Sequence, residues 1–275
     1  MLSPAADDSP NDHFSYSGQG IGSIDSPYWT IASASITGPS HLARGVGCDD
    51  AAAAAVHGPW LIAVVSDGAG SAKFGVEGAA ITCATLIEQL KIFLALNPRP
   101  KLQRIIEESL QITHERLMER ATMLAVHPHE LSATVVGVIC RGSRGMIFHL
   151  GDGTALIMDS SLVPRTISNG SPKEFANETH FLSEPHWHKH LQVNAFTQAE
   201  SMLLMTDGMT PFVFNATVVK ETFTHPIDRY LKTCTAKIGA NALMELLNER
   251  DAKRQVEDDK TILWAGRTHR QGVAL

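Results

Sequence analysis

Apolar positions along this chain fall into short unbroken runs and into longer stretches with helical spacing. Residues 60–67 (WLIAVVSD) are almost continuously apolar and include three β-branched residues, which predicts a strand buried on both faces. The runs at 29–37 and 201–208 predict two further strands, and 258–265 predicts a final strand that begins with two acids.

Helical spacing marks two long segments after the strand at 60–67. Residues 76–96 and 101–125 carry apolar residues three and four positions apart. The sequence NPRP between them ends the first helix, because proline lacks an N–H and has a fixed φ. A further helical stretch is predicted around 226–254.

The remaining segments predict a meander, an excursion and a leader. Short β-rich runs at 132–141, 145–153 and 154–160 are joined by tight glycine turns, which predicts three consecutive paired strands. Residues 161–200 lack periodicity and contain four histidines, so we expect a flap-like excursion of the kind that is usually functional or mobile in a compact domain. Residues 1–25 are rich in Ser, Asp, Gly and Pro and predict a loose leader.

The order of these elements indicates the fold class. Helices come as a pair between runs of strands, not in strict β-α-β alternation, which favours an α+β fold with antiparallel sheets. No internal repeat or linker interrupts the pattern. We therefore expect a single domain over residues 26–268.

Composition narrows the class of partner. The 275 residues are 44% apolar, enough for a real core, and the net charge of −6 argues against nucleic acid or an anionic membrane as a partner. No charge-free run of about 18 apolar residues predicts a membrane span, and the start of the chain does not resemble a signal peptide. The four cysteines are widely separated and have no metal-ligand spacing, which predicts a reducing cytoplasm.

Aspartates recur where apolar runs begin or end. GCDDA (47–51) precedes an apolar segment, Asp67 and Asp207 each end a strand within Asp-Gly, and Asp258 begins one. Asp152 lies in a turn between strands. A single Asp-Gly is more often only a turn, but the repetition of the pattern favours a site.

Carboxylates brought together in this way need a cation between them. Without one they would repel each other and raise each other's pKa. Clustered Asp oxygens, backbone carbonyls and waters suit Mg²⁺ or Mn²⁺, which prefer hard ligands in octahedral geometry. The glycine after Asp67 would let the backbone approach such an ion, since no Cβ is in the way.

Five pieces in this order resemble the metal-dependent (type 2C, PPM) serine/threonine protein phosphatases. They are GCDDA, SDGAGS, SATVVGV with HLGDG, LLMTDGM and DDKTI, and together they extend from about residue 33 to 265. The forms SH…GCDDA and DGAGSAK are most similar to the bacterial branch. The resemblance implies a four-layer α-β-β-α sandwich of two antiparallel sheets, with a two-metal site at one end.

The resemblance also implies a role for each acid. Asp67 would bridge two Mn²⁺ or Mg²⁺ ions, and the Gly68 carbonyl would bind one of them. Asp50 would act through water on a metal, and Asp207 and Asp258 would complete the ligands of the first ion.

Three further acids, Asp152, Asp49 and Asp259, can be compared with positions of the family pattern. Asp152 matches a position that holds a third ion in some relatives. Asp49 stands where relatives have Glu or Gln, and Asp259 stands where Asn or Asp follows the metal-binding acid.

The phosphate-binding residue departs from the family pattern. Relatives commonly place an Arg shortly before the first acid, whereas Arg44 is displaced by one position and His41 lies nearby. Either residue could hold the phosphate, or both could be ordinary surface residues. Ala69 stands where eukaryotic relatives often have a histidine that is a candidate general acid.

The function implied is hydrolysis of phosphoserine and phosphothreonine in proteins by a metal-activated water. The expected partner is a phosphorylated protein, in opposition to a serine/threonine kinase, and the chain is expected to be a monomer. Two alternatives stay open: a catalytically weak pseudophosphatase acting as a regulatory binding module, and a small-molecule phosphoesterase. His186, His188 and His190 alternate in PHWHKH, which is most often a solvated or lid-like loop. The resemblance implies a variable flap near the active site at this segment, which favours substrate selection over a metal clip.

Overall fold

Two six-stranded antiparallel sheets form the centre of the molecule in the computed structural model, which describes residues 12–169 and 179–268. The strands of the first sheet, in spatial order, are β1 (His13–Ser17), β4 (Asp50–His57), β5 (Trp60–Asp67), β6 (Val135–Arg141), β7 (Arg144–Leu150) and β10 (Gln192–Phe196). Those of the second are β2 (Gly20–Asp25), β3 (Trp29–Ile36), β14 (Lys260–Arg267), β11 (Ser201–Met205), β8 (Thr154–Met158) and β9 (Pro164–Asn169). A small hairpin joins β12 (Phe214–Asn215) to β13 (Val218–Val219).

Helices cover the outer faces of both sheets. The α-helices of the described residues are α1 (Pro39–Arg44), α2 (Gly75–Leu96), α3 (Leu102–Leu124), α4 (Thr210–Val213), α5 (Glu221–Leu231), α6 (Ala236–Asn248) and α7 (Arg250–Gln255). The buried faces of α2 and α3 pack on the first sheet, and those of α5 and α6 pack on the second. The predicted α-β-β-α sandwich is therefore confirmed.

Strand alternation separates the two faces of each sheet. In β4, Ala51, Ala53 and Ala55 belong to the core under the helices, whereas Ala52 and Ala54 face the second sheet. Successive side chains of a strand point to opposite faces, and alanine lets both neighbouring layers approach closely. Asp50 has the parity of Ala52, so its side chain lies on the face between the two sheets.

The main predicted elements are confirmed. Strands occupy 29–36 and 60–67, and the two long helices begin and end within about one residue of the expected positions. The stretch predicted around 226–254 contains most of α5 together with α6 and α7. Periodicity was informative here because these segments are long or are buried on both faces.

Two predictions about the beginning of the chain and the meander were wrong. Residues 13–25, assigned to a loose leader, form β1 and β2 at the edges of the two sheets. They are short and half-exposed, so they have no strong apolar signature. The meander breaks after β7: the chain turns at Gly151 (φ 116°), and the next strand, β8, pairs in the second sheet.

The excursion at 161–200 also contains regular structure. β9 and β10 lie at the outer edges of the second and first sheets, and a one-turn 3-10 helix covers Trp187–Lys189. Residues 170–178 of the expected flap and residues 1–11 of the expected leader lie outside the described residues.

Helix α2 is long and apolar enough to cross a membrane by length and composition alone. Its residues Ala79, Cys83, Leu86 and Leu90 are fully buried in the core against the first sheet. A core helix of this kind passes the same test, so α2 is weak evidence for a membrane span.

Candidate metal centre

Backbone pairing brings the predicted acids to one end of the sandwich. The antiparallel register of β4 and β5 places Asp50 directly opposite Asp67. Asp207 follows β11 and Asp258 precedes β14, and these strands are antiparallel neighbours. The end of one strand therefore lies beside the start of the other, which explains why acids far apart in sequence meet.

A cleft of about 250 Å³ opens at this end of the sandwich. Its lining residues are His41, Asp67, Gly68, Ala69, Gly70, Ser71, Thr134, Asp152, Thr179, Phe181, Asp207 and Asp258. Eight residues were expected from the sequence to bind metal or phosphate, and six of them are in this set. Asp50 is fully buried outside the lining set, and Arg44 is exposed on α1.

The donor set suits a divalent cation. Carboxylate oxygens of Asp67, Asp152 and Asp207 lie within 4.8 Å of one another. Burial, together with the nearby charges of Asp152 and Asp258, raises the pKa of Asp207 to about 6. Burial and the neighbouring acids likewise raise the pKa of Asp67 well above its usual range. This clustered negative charge and its oxygen ligands fit Mg²⁺ or Mn²⁺.

The buried carboxylate of Asp50 is a second indication of a cation at this site. Its Oδ1 atom is buried and has no hydrogen-bond partner among the described residues, whereas Oδ2 accepts two hydroxyl donors. A buried carboxylate oxygen without a donor is costly, and a cation or its water ligand would satisfy it.

Gly68 is required by packing. A Cβ at this position would lie 2.4 Å from the carbonyl carbon of Gly75 and 2.8 Å from the carbonyl oxygen of Asp49. The Gly68 N–H donates to that Asp49 oxygen at 3.1 Å. The start of α2 therefore packs directly on the backbone that follows Asp67.

His41 and Arg44 differ clearly in position. His41 is buried, lines the cleft, and places Nδ1 2.9 Å from Oδ2 of Asp259 and Nε2 4.0 Å from Oδ2 of Asp49. Arg44 is exposed, and its Nε donates to the carbonyl of Ser40 at 3.4 Å. The structure thus brings His41 to the site and leaves Arg44 outside the cleft lining.

Asp259 connects three segments around the site. Its Oδ1 accepts the Gly38 N–H at 2.6 Å, and its Oδ2 accepts the Asp49 N–H at 2.6 Å in addition to the contact with His41. Both carboxylate oxygens of Asp259 therefore have hydrogen-bond partners within the protein. We infer that Asp259 holds the loop before β4 against the start of β14.

Several residues of the site were missed from the sequence. Thr206 and Thr261 donate to Asp50, Thr134 Oγ1 accepts the Asp67 N–H, and Thr179 and Phe181 line the cleft. The only sequence signal for Thr206 and Thr261 was their position beside the acids in MTDG and DDKT. Threonine is so common in strands that this signal alone is weak.

The histidine loop lies apart from the acids. Trp187 is buried in the core of the first sheet, with His186 and His188 flanking it in sequence. His190 stacks on His180 with ring centroids 3.4 Å apart. Among the described residues, this region contributes Thr179 and Phe181 to the cleft, and Thr179 donates to Asp152 Oδ2 at 2.8 Å.

Comparison with known proteins agrees with this architecture. Residues 37–248 match the family model described as Protein phosphatase 2C. The chain belongs to this family. That membership confirms the resemblance drawn from the five sequence pieces.

Individual relatives of this 2C-family chain are distant. It is 24% identical to serine/threonine-protein phosphatase 3 of Escherichia coli (strain K12), with 86% of this chain and 99% of that protein covered. A crystal structure of serine-threonine phosphatase 2C from Toxoplasma gondii superposes with a TM-score of 0.63 at 14% identity, covering 93% of this chain and 99% of that one. A structure of RsbX in complex with magnesium gives a TM-score of 0.55 at 14% identity, covering 90% and 100%. These likenesses confirm the fold.

Proposed function

We propose that this 2C-family chain hydrolyses phosphoserine and phosphothreonine in proteins with the help of Mn²⁺ or Mg²⁺. The observation that carries the proposal is the convergence of Asp50, Asp67, Asp207 and Asp258 around one cleft, with an unsatisfied buried oxygen on Asp50. The magnesium recorded with RsbX supports the choice of cation.

The proposed ligands divide by position. Asp67, Asp207 and the Gly68 backbone would hold the cations from within the cleft, and Asp258 would bind from its exposed rim. Asp152 would bind a further ion, and Asp50, which is buried outside the cleft lining, would act through its Oδ1 atom. When bound, two divalent cations lower the pKa of a shared water and neutralise phosphate oxygens.

The protein residues supply orientation and charge. The β-ladder fixes Asp50 against Asp67, and the Asp67 N–H is held by Thr134 at 3.0 Å, so these ligands are set before a substrate arrives. The same cleft is lined by the His41 imidazole and by the loop at residues 69–71, in which the Ala69 N–H donates to the Ser132 carbonyl at 2.9 Å. Displacement at phosphorus depends mainly on such positioning and charge neutralisation.

His41 would hold the phosphate in place of the usual arginine. Its Nδ1 contacts Asp259, so Nε2, which lies 4.0 Å from Asp49 Oδ2, is the ring nitrogen that would contact a phosphate oxygen in the cleft. We expect His41→Ala to raise KM about tenfold, equivalent to one charge-assisted hydrogen bond, with a smaller change in kcat. The measurement is steady-state kinetics on a phosphothreonine peptide.

Arg44→Ala is the matched control for that experiment. Because Arg44 is exposed and lies outside the cleft lining, we expect its KM to stay within about twofold of wild type. A larger rise in KM for Arg44→Ala than for His41→Ala would assign the phosphate to the arginine and refute the role of His41.

The substrate is proposed to be a phosphorylated protein that a serine/threonine kinase has modified, and the chain is proposed to act as a monomer. The cytoplasmic location stays a prediction, consistent with four free cysteines, three of them buried. The first experiment compares hydrolysis of a phosphothreonine peptide and of p-nitrophenyl phosphate, with metal-free protein and after addition of Mn²⁺ or Mg²⁺. We expect activity only with metal, and a higher kcat/KM for the peptide.

Any other result of this experiment would support an alternative function or contradict the proposed metal centre. Preference for the small ester would indicate a small-molecule phosphoesterase. Tight metal binding without turnover would indicate a pseudophosphatase that binds partners, in keeping with Ala69 in the cleft. Metal-independent turnover would contradict the proposed centre.

A further inference from the structure

A row of buried hydroxyl groups runs between the two sheets and ends on Asp50. Its members are Tyr16 on β1, Ser33 and Ser35 on β3, Thr261 on β14, and Thr206 just after β11. Ser33, Ser35, Thr206 and Thr261 are each at most 1% exposed. We call this set the hydroxyl network.

Strand parity explains why these polar residues share one space. Ser33 and Ser35 follow Ile31 at alternate positions, and Thr261 precedes Leu263, so all belong to the face between the sheets. Tyr16 reaches the same space from β1 and packs against the inter-sheet core. The strands place hydroxyl groups at the level of Asp50, whereas apolar residues fill the rest of the space between the sheets.

The hydrogen bonds have a definite direction at the carboxylate. The Thr261 hydroxyl lies 2.6 Å from Asp50 Oδ2 and 2.6 Å from Ser35 Oγ. The hydroxyl carries one proton and Asp50 Oδ2 is its acceptor, so Thr261 donates to Asp50.

Thr206 and Tyr16 complete the network. Thr206 donates to the same Oδ2 atom at 2.9 Å, and its oxygen accepts the Thr261 N–H at 3.0 Å. Tyr16 Oη lies 2.6 Å from Ser33 Oγ and 3.3 Å from Ser35 Oγ.

The two oxygens of Asp50 are therefore in different situations. Oδ2 receives two hydroxyl donors, which fixes the rotamer of the side chain. Oδ1 is buried with no partner among the described residues, and Asp67 lies opposite in the β-ladder. Two donors on one oxygen leave the other as the acceptor that no described residue satisfies.

We propose that Thr261 and Thr206 are positioning residues that orient Asp50 so that Oδ1 serves the cation site, and that Ser35 and Tyr16 support them from the N-terminal strands. The proposal rests on the proposed function only in taking the acid cluster as a cation site. It gives β1, a segment without obvious chemistry in its sequence, a part in that site.

The test is Mn²⁺ binding to metal-free protein, measured by titration calorimetry on Thr261→Val and Thr261→Ser. Valine keeps the shape of threonine and removes the hydroxyl, whereas serine keeps the hydroxyl. We expect Thr261→Val to weaken Mn²⁺ binding about tenfold or more, and Thr261→Ser to stay within about threefold of wild type.

Two further variants complete the design. Thr82→Val removes a buried hydroxyl on α2 that has no partner among the described residues, and we expect it to bind Mn²⁺ as wild type does. Tyr16→Phe changes the far end of the network without altering shape, and we expect about a twofold to threefold loss. It keeps the proposal testable if Thr261→Val fails to fold.

The results separate this inference from the proposed function. Wild-type Mn²⁺ affinity in Thr261→Val, or equal weakening in Thr261→Val and Thr261→Ser, would overturn it. If Thr261→Val is unfolded, unchanged affinity in Tyr16→Phe would overturn it. A wild-type protein that binds Mn²⁺ without hydrolysing phosphopeptides would refute the phosphatase proposal and leave the binding comparison valid.

Discussion

Asp67→Asn is expected to lower kcat on a phosphothreonine peptide roughly a thousandfold in saturating Mn²⁺ while the fold stays intact. Asp67 ends β5, faces Asp50 across the ladder and shares its surroundings with Asp152 and Asp207. The amide of asparagine has the same shape but no charge, and its NH₂ group cannot serve as a ligand. The measurement is steady-state kinetics, with circular dichroism to verify the fold.

Glu119→Gln is the control for that loss. It neutralises an exposed acid on α3, on the outer face of the first sheet, and we expect kcat to stay within about twofold of wild type. If Asp67→Asn kept turnover near the wild-type value, the proposed centre would be wrong.

Asp67→Asn should also make the metal-free protein more stable at neutral pH. Burial holds the pKa of Asp207 at about 6, above its ordinary value, and raises that of Asp67 as well. Groups with raised carboxyl pKa values bind protons more tightly in the folded state, so their stabilisation is complete only below about pH 4 and is lost as pH rises through about 6.

Thermal melts of metal-free protein check this pH dependence. We expect the Tm of wild type to fall between about pH 4 and pH 7, and that of Asp67→Asn to fall less, since one repelling charge is gone. Added Mn²⁺ should reverse the fall in wild type at pH 7. An equal fall in both proteins would show that the acid cluster does not control this dependence.

Gly68→Ala should destabilise the protein by about 3 kcal/mol, because the new methyl group would meet the backbone of Gly75 and of Asp49. Both neighbours are main chain and cannot move aside as a flexible side chain would. Relief would require α2 to shift away from the end of β5, which would also displace Asp67. Chemical denaturation should show the loss of stability, and Mn²⁺ titration should show weaker binding.

Gly70→Ala is a matched control in the same loop. An added Cβ there meets nothing within 4 Å, so we expect a change in stability within about 0.5 kcal/mol. Similar destabilisation by both substitutions would mean that loop flexibility, and not the contact with α2, requires glycine at residue 68.

The sequence was informative where each signal was local. Continuous apolar runs identified β5 and β14, and helical periodicity identified α2 and α3. The acids Asp50, Asp67, Asp207 and Asp258 were found because each one lies where an apolar run begins or ends, a feature visible without knowing the pairing. The match to the 2C family pattern was visible because the five sequence pieces occur in the family's order along the chain.

Long-range features were missed or left open for physical reasons. β1 and β2 are half-exposed edge strands, and their pairing depends on partners far away in sequence. The choice between His41 and Arg44 required the direction of α1, which buries one residue and exposes the other only three positions on. The switch of β8 to the second sheet follows from packing that no local pattern records.

The sequence by itself determined the elements, the fold class and the acids, because burial and periodicity are encoded residue by residue. Only the tertiary structure decided which groups meet: the two hydroxyls on Asp50, the carboxylate of Asp259 on His41, and the backbone of α2 on Gly68. The physical reason is that these contacts are made across strand registers and between layers. Each partner alone is an ordinary strand threonine, an acid beside another acid, or a loop glycine.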